Sequence, residues 1–338
     1  MDNIKIFYKF GFYFTMNKTL FLLVLFPFVF ISCLKEKKNT AYETLGKVSS
    51  VSVIIDDQLW NGEIGDSLRN KFAVPVIGLQ DEEPLFTLNQ YPVKLLDGFL
   101  SKSRNIIVIK KNTKNDFSIV QNQTGNPQLL IRFSGRTVKD IINSIEVKAP
   151  LISKTIRDSE IKAIQKQIII NKSETNDINE RYAVDLKIPV RFKTVMKAKN
   201  FLWLKREVDG GNLSIVAYEL PFKRLQDTSN IINSIVKIRD SMGRRYIHGS
   251  KKRTVMLTET DFTPYYSKTT LSNSIAYETK GTWNLRNDFM SGPFINYALI
   301  DKKRNRVLIL EGFCYAPFKG KRDFVLELEA IIKTLKIK

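Results

Sequence analysis

Histidine and cysteine are almost missing from this sequence of 338 residues. The one histidine, His248, excludes a multi-histidine zinc or iron site. Any Ser-His-Asp or Cys-His machinery would have to pass through that single imidazole. The two cysteines, Cys33 and Cys314, cannot build a disulfide framework. Neither a G-x-x-x-x-G-K-S/T nor a G-x-G-x-x-G run occurs, so the common phosphate loops are absent. A membrane-spanning run is lacking as well. The apolar stretch Leu20–Ile31 has twelve residues, against the roughly 20 that a bilayer core requires. Carboxylates are scarce, with 34 Asp and Glu against 54 Lys and Arg.

The stretch around that short run is "MNKTLFLLVLFPFVFISCLKEKKN", residues 16–39. Lys18 supplies a positive charge, twelve apolar residues follow, and Ser32 stands directly before Cys33. That is the layout of an exported leader, and Phe30-Ile31-Ser32-Cys33 resembles a bacterial lipobox. The resemblance implies cleavage before Cys33 and a diacylglyceryl group on its thiol. Phe30 stands where Leu is usual. Two acyl chains satisfy the two-signal requirement for stable anchoring. Residues 1–32 are thus expected to be a signal peptide, with Met16 a better start than Met1, and residues 33–47 a lipidated Cys and flexible tether. Asp does not follow Cys33, so the expected place is the outer membrane, facing the periplasm. If Cys33 is acylated, Cys314 has no partner, and its setting in "VLILEGFCYAPF" predicts a small core filler.

Residues 1–32 carry three lysines and one aspartate, so the chain from Cys33 onward keeps +18 of the total +20. This basicity favours anionic partners: lipid head groups, a phosphorylated glycan or an acidic envelope protein. Nucleic acid, the common partner of such charge, is not expected for an exported protein. A lysine-rich surface that serves solubility alone is the competing reading.

Along the body, "VSVII" (51–55) predicts a strand. "QLWNGEIGDSLRNKF" predicts a helix, with Trp60, Ile64, Leu68 and Phe72 on one face and Gly62 and Gly65 weakening it. "VKLLDGFLSKS" predicts a further helix, and "NIIVIKK" with "FSIVQNQ" a hairpin. "GRTVKDIINSI" starts more helix, and a separate helical stretch follows over about 153–169. The polar segment 171–182 is expected as a linker between a first α/β lobe (48–170) and a second (183–338). Later come a hairpin around Asp301–Asn305 and an amphipathic helix with Val325, Leu328, Ile332 and Leu335 on one face. "YPVKLLDGFLSKSRNIIVIKK" and "IPVRFKTVMKAKNFLWLKRE" share an order of features, and "IINSI" recurs at 141–145 and 231–235. That order predicts a tandem duplication. The fold class expected is α+β: two related α/β lobes with antiparallel sheets and packed helices.

"DDQLWNGEIGDSLRNKFAVPV", "EEPLFTLNQYP", "SRNIIVIKK" and "FINYALIDKKRNRVLILEGFCYAPFKGKRDF" resemble an uncharacterised Bacteroidota lipoprotein family, a domain of unknown function, over about residues 48–337. The resemblance implies a lipid-anchored envelope protein. It implies no catalytic residues and no cofactor.

Three polar clusters stand out. Glu63 and Asp66, three apart on a helix, form a candidate acid/base pair for an envelope hydrolase; a solvated face is the alternative. Arg244, Arg245, Lys251, Lys252 and Arg253 surround Tyr246 and His248 in "GRRYIHGSKKR", and arginine forks suit phosphate. "TWNLRNDFMSGPF" (282–294) gathers Trp283, Phe289, Phe294, Arg286 and Asp288, as in carbohydrate and peptide clefts. The reading as a whole is a non-catalytic binding or scaffolding protein of the envelope, with no cofactor and no metal.

Overall fold

The run Val51–Ile55 is apolar at every position but Ser52, as a strand buried on both faces requires. A computed structural model describes residues 42–44, 46–96, 99–225 and 230–338 of the chain. The leader and Cys33 lie outside the described residues. After the short strand β1 (Tyr42–Glu43), β2 (Ser50–Ile54) takes an interior position in a first sheet. The helix expected after it is two: α1 (Asp57–Trp60) and α2 (Glu63–Phe72). They break at Asn61–Gly62 and fold back tightly enough that a Cβ on Gly65 would stand 1.8 Å from the Trp60 carbonyl oxygen.

β3 (Thr87–Tyr91) is followed by two single 3₁₀ turns, Val93–Leu95 and Phe99–Lys102, where a helix was expected. Then come β4 (Asn105–Lys111), β5 (Asp116–Gln121), the two-residue β6 (Gly125–Asn126) and β7 (Leu129–Gly135). The sheet order is β3-β2-β4-β7-β5. β3, β2, β4 and β7 run parallel, and β5 is an antiparallel edge. The β4–β5 hairpin expected from adjacency does not form, because β7 slides between them. β4 and β7 are apolar on both faces and take buried positions, while the half-exposed β5 takes the edge. Ile64, Leu68 and Phe72 of α2 cover one face of this sheet, and Leu100, Val93 and Leu96 cover the other.

α3 (Val138–Lys166) merges the two expected helical stretches into one and runs through Pro150. Its start is a capping box: Asp140 N donates to Thr137 Oγ1 at 3.1 Å and Thr137 N to Asp140 Oδ2 at 3.1 Å. Ile141, Ile145, Ile152 and Ile156 lie along its buried face. The polar segment 171–182, expected as a linker, is helix α4 (Lys172–Tyr182). Its few apolar residues decide this: Ile178 and Tyr182 are buried in the next core, and the Tyr182 hydroxyl donates to the Ala217 carbonyl at 2.8 Å.

β8 (Val184–Asp185) leads into β9 (Lys193–Ala198), β10 (Phe201–Val208) and β11 (Gly211–Pro221). Helix α5 (Ile231–Tyr246) intervenes before β12 (Val255–Thr258), β13 (Tyr265–Leu271), β14 (Ser274–Arg286), β15 (Ser291–Asp301) and β16 (Arg306–Tyr315). α6 (Arg322–Ile332) and β17 (Lys336–Ile337) close the chain. The eight-stranded sheet β12-β14-β15-β16-β11-β10-β9, with β13 against β14, is antiparallel throughout. Alternate residues feed its two cores. Leu308, Leu310 and Cys314 of β16 face α4 and α6, while Val307, Ile309 and Phe313 face α5. Cys314 is the core filler expected, and burial pushes its thiol up to about 12. The β15–β16 hairpin and the apolar face of α6 also form as expected.

The chain is of the α+β class, but its two sheets are not copies. In 91–145 the aligned strands β4 and β5 are separated by β7; in 188–235 their counterparts β10 and β11 pair directly. The expected duplication is therefore rejected. The recurring "IINSI" begins a helix in both places because Ile at i and i+4 suits any helix lying on a sheet.

Residues Tyr42–Lys338 form one unit. α3 packs on α6 with an Arg157–Glu329 ion pair. Glu83 of the first sheet's connections accepts from Lys321 N and Arg322 N at 2.5 and 3.1 Å, at the N-terminus of α6. Among the described residues no helix is long and apolar enough to cross a membrane.

Candidate functional site

Helix α5 lies on the second sheet through Ile231, Ile235 and Ile238. It approaches β12 so closely at Gly243 that a Cβ there would stand 2.2 Å from the Met256 carbonyl oxygen. That contact places Arg244 and Arg245 in the last turn, exposed. Cations at this end suit the helix dipole. The segment that follows is tied by short bonds. His248 Nε2 lies 3.0 Å from the Arg244 carbonyl, Gly249 N donates to Thr254 Oγ1 at 2.9 Å, and Thr254 Oγ1 donates to the Lys251 carbonyl at 2.7 Å. Arg253 takes a positive φ of 64°.

The β14–β15 turn meets this loop. Asn287 Nδ2 donates to the Arg253 carbonyl at 3.1 Å, and Lys251 Nζ reaches Asp288 Oδ1 at 3.1 Å. Asp288 Oδ1 also accepts from Phe289 N at 2.8 Å. That backbone bond, then Lys251, lowers the Asp288 pKa. Phe289 is 98% exposed, with Lys251 Nζ 5.7 Å from its ring centre. Between the turn, the end of α5 and the β12–β13 connection opens a concavity of 610 Å³. Arg244, Glu259, Arg286, Asp288 and Phe289 line it. Glu259 accepts from Asp261 N and Asn284 Nδ2, which lower its pKa.

The two sequence segments singled out separately, 243–253 and 282–294, are thus one surface. Lys252 and Arg253 are exposed on its loop, and the Arg245 guanidinium lies 5.2 Å from the Tyr246 ring centre. Two of the expected aromatics are not part of it. Trp283 is buried and donates from Nε1 to the Cys314 carbonyl at 3.3 Å, and Phe294 is buried beneath the Arg239 guanidinium, 3.9 Å away. Glu259 was missed, since nothing near it in sequence marks it.

Glu63 and Asp66 are brought to no site. Both lie on the exposed side of α2, and Asp66 pairs with Arg69 at 2.9 Å in an ordinary i,i+3 bridge. The acid/base pair expected there is corrected to a solvated helix face. Among the described residues no group of three or more His, Cys, Asp or Glu is placed to hold a metal.

Beneath the concavity, sequence reading missed a buried ion pair. Arg239 of α5 donates from Nε to Glu311 Oε1 at 3.0 Å and from Nη1 to Thr258 Oγ1 at 3.0 Å. Asn296 Nδ2 donates to Glu311 Oε2 at 2.9 Å. The signal was present: a charged residue inside an apolar helix face and another inside the apolar run of β16.

The chain is thus of the α+β class, with two main sheets, one mostly parallel and one antiparallel, and a polar concavity on the second. The chain is composed of two family domains: residues 44–169 match the domain of unknown function DUF8532, and residues 171–334 match the domain of unknown function DUF4837. No curated protein matches it. Among solved structures it is similar to LpqN of Mycobacterium tuberculosis, described as involved in cell envelope biogenesis, at 12% identity and a TM-score of 0.28, covering 46% of this chain and 83% of that one. It is also similar to the Saccharomyces cerevisiae Ran-binding protein Mog1p, at 7% identity and a TM-score of 0.29, covering 50% and 93%. At such scores neither likeness carries a functional argument.

Proposed function

We propose that the protein is a cell-envelope lipoprotein, anchored to the outer membrane through acylated Cys33 and facing the periplasm. Residues 48–170 are its first lobe and residues 171–338, with α4, its second, and it works by binding rather than by catalysis. Its ligand is an anionic group on an envelope component, a phosphorylated glycan or an acidic protein, held in the concavity at the end of α5. One observation supports this above the rest: two basic and aromatic segments, about forty residues apart in the chain, converge on one 610 Å³ concavity with Arg244 and Arg286 on its wall. Arginine forks match phosphate and carboxylate in geometry as well as charge. The hydrolase reading loses its support with the exposure of Glu63 and Asp66.

Retention on beads carrying a phosphorylated glycan tests the site. Arg244→Gln with Arg245→Gln is expected to weaken retention more than Lys110→Gln with Lys111→Gln on the first sheet. Both losses shrink as salt rises, since the Debye length falls from about 10 Å at 0.1 M to about 3 Å at 1 M. Equal losses for the two pairs would leave only general basicity. Incorporation of labelled palmitate, abolished by Cys33→Ala, tests the anchor; equal labelling of the variant rejects it.

A further inference from the structure

A second surface lies on the other side of the large sheet from α5. Helix α3 ends at Lys166, and the chain then runs extended through Ile168, Ile169 and Ile170. This run pairs with the segment before β9: Ile170 bridges Pro189, Asn171 N donates to the Ile188 carbonyl at 2.8 Å, and Val190 N to the Ile169 carbonyl at 2.8 Å. Ile188 and Phe192 are fully buried, and Ile168 packs on the same core. Ile169 and Val190, hydrogen-bonded across this pairing, are 72% and 46% exposed and line one groove. Ile170, the next residue, is 42% exposed. Aliphatic tips thus stand exposed on two paired segments fixed to the core.

Cations collar them. Lys166 and Lys172 flank the first segment, and Lys187, Arg191 and Lys193 flank the second; all five are exposed. The carboxylates nearby have partners within the protein, although Asp323 is exposed on the groove wall. Arg206 holds Glu327 in a bidentate pair at 2.7 and 2.8 Å, Arg322 holds Asp323 at 2.9 Å, and Thr194 N and Oγ1 hold Glu174. The tips continue into a groove of 490 Å³ walled by Ile164, Phe324 and Ile331. Val48 is on the same wall.

We infer that this cation-collared aliphatic edge is the face by which the body lies on an anionic bilayer. Aliphatic tips at the interface with Lys and Arg around them fit lipid: the tips enter the boundary of head groups and acyl chains, and the long basic stems lie along it with their charges at the phosphates. A protein partner would offer carboxylates at fixed points; a collar of flexible cations around a small apolar centre is matched by a mobile field of anionic head groups instead. The α5 concavity, on the opposite face of the sheet, is then turned away from the lipid and toward other envelope components. The inference rests on the envelope reading above, but not on acylation.

The test uses the processed chain with Gln167→Cys, exposed at the groove, or Lys237→Cys, exposed on α5, each carrying an environment-sensitive fluorophore. Cys314 is fully buried and takes no label. In phosphatidylglycerol vesicles with brominated acyl chains, the probe at 167 is expected to shift to the blue and be quenched, and the probe at 237 is not. Lys187→Gln and Arg191→Gln are expected to lower the docking constant about fivefold each, whereas Lys110→Gln with Lys111→Gln leaves it unchanged. An unquenched probe at 167 on a chain that incorporates palmitate overturns the inference and leaves the anchor standing. Quenching at 167 on a chain without palmitate upholds the inference and removes the anchor. Equal quenching at 237 overturns it, because the body then has no preferred face.

Discussion

Arg239 and Glu311 sit in the core beneath α5, each only 3% exposed. Burying two charges costs solvation that their attraction offsets only while every partner is in place. Here the partners are specific: Thr258 for the guanidinium, Asn296 for the second carboxylate oxygen, and the Phe294 ring against the cation. Glu311→Ala would strand the guanidinium and is expected to cost about 3–5 kcal/mol, read as a fall in the urea midpoint. Arg239→Met combined with Glu311→Leu is expected to recover most of that loss. A double variant no better than Glu311→Ala would mean the pair is not the source of the cost. Because α5 carries Arg244 and Arg245, the same pair fixes the helix that presents the concavity. These two residues were legible only as anomalies, charges inside apolar patterns. Their pairing was not, because 72 residues separate them.

Local periodicity located most elements but not their neighbours. β2, β4, the two halves of the long helix and the C-terminal hairpin could be read from apolar spacing, since each buries a regular face, whereas β7 was passed over. The β4–β5 hairpin misled because adjacency was weighed above burial. Four polar residues at 112–115 suggest a turn, yet the half-exposed β5 gives way to β7, which with β2 flanks β4. The linker misled because three buried residues, Thr175, Ile178 and Tyr182, decide the state of an otherwise polar helix. Helix α6 depends on a residue far away in sequence. Its first amides have no partner within the helix, and the Glu83 carboxylate supplies one from the first sheet's side. Glu83→Ala is expected to cost about 1 kcal/mol, as for loss of an N-terminal cap, and to speed hydrogen exchange at the amides of Lys321 and Arg322. Glu83→Gln should restore part of both, since its oxygen still accepts. Unchanged exchange in Glu83→Ala would show that the contact does not hold the helix end.

At the scale of the molecule, the basic total was visible in composition, but its arrangement was not. Exposed cations gather both at the end of α5 and around Ile169 and Val190, so the two ligands proposed above would meet different sides of one sheet. What composition could not supply is which lysines meet an internal carboxylate, as Lys197 does with Asp177 and Lys333 with Glu329, and which face solvent. The proposed leader is the reverse case: it rests on the sequence alone, because targeting depends on length, charge and the residue before the cysteine and not on packing.

The place of β2 bears on how the chain resists being pulled. It is the first long strand after the tether, and it lies between β3 and β4, parallel to both. A load arriving from the anchored end along the strand acts on two ladders in shear, so their bonds must give way together; a hairpin strand at an edge would peel one bond at a time. Stretching the chain between Gly46 and Lys338 is therefore expected to give a single high rupture force for the first sheet, and a train of small early events would show that β2 unzips. β2 is thereby the mechanical clamp of the first sheet, and with the anchor proposed above, a pull along the chain would strain the lipid attachment before the fold.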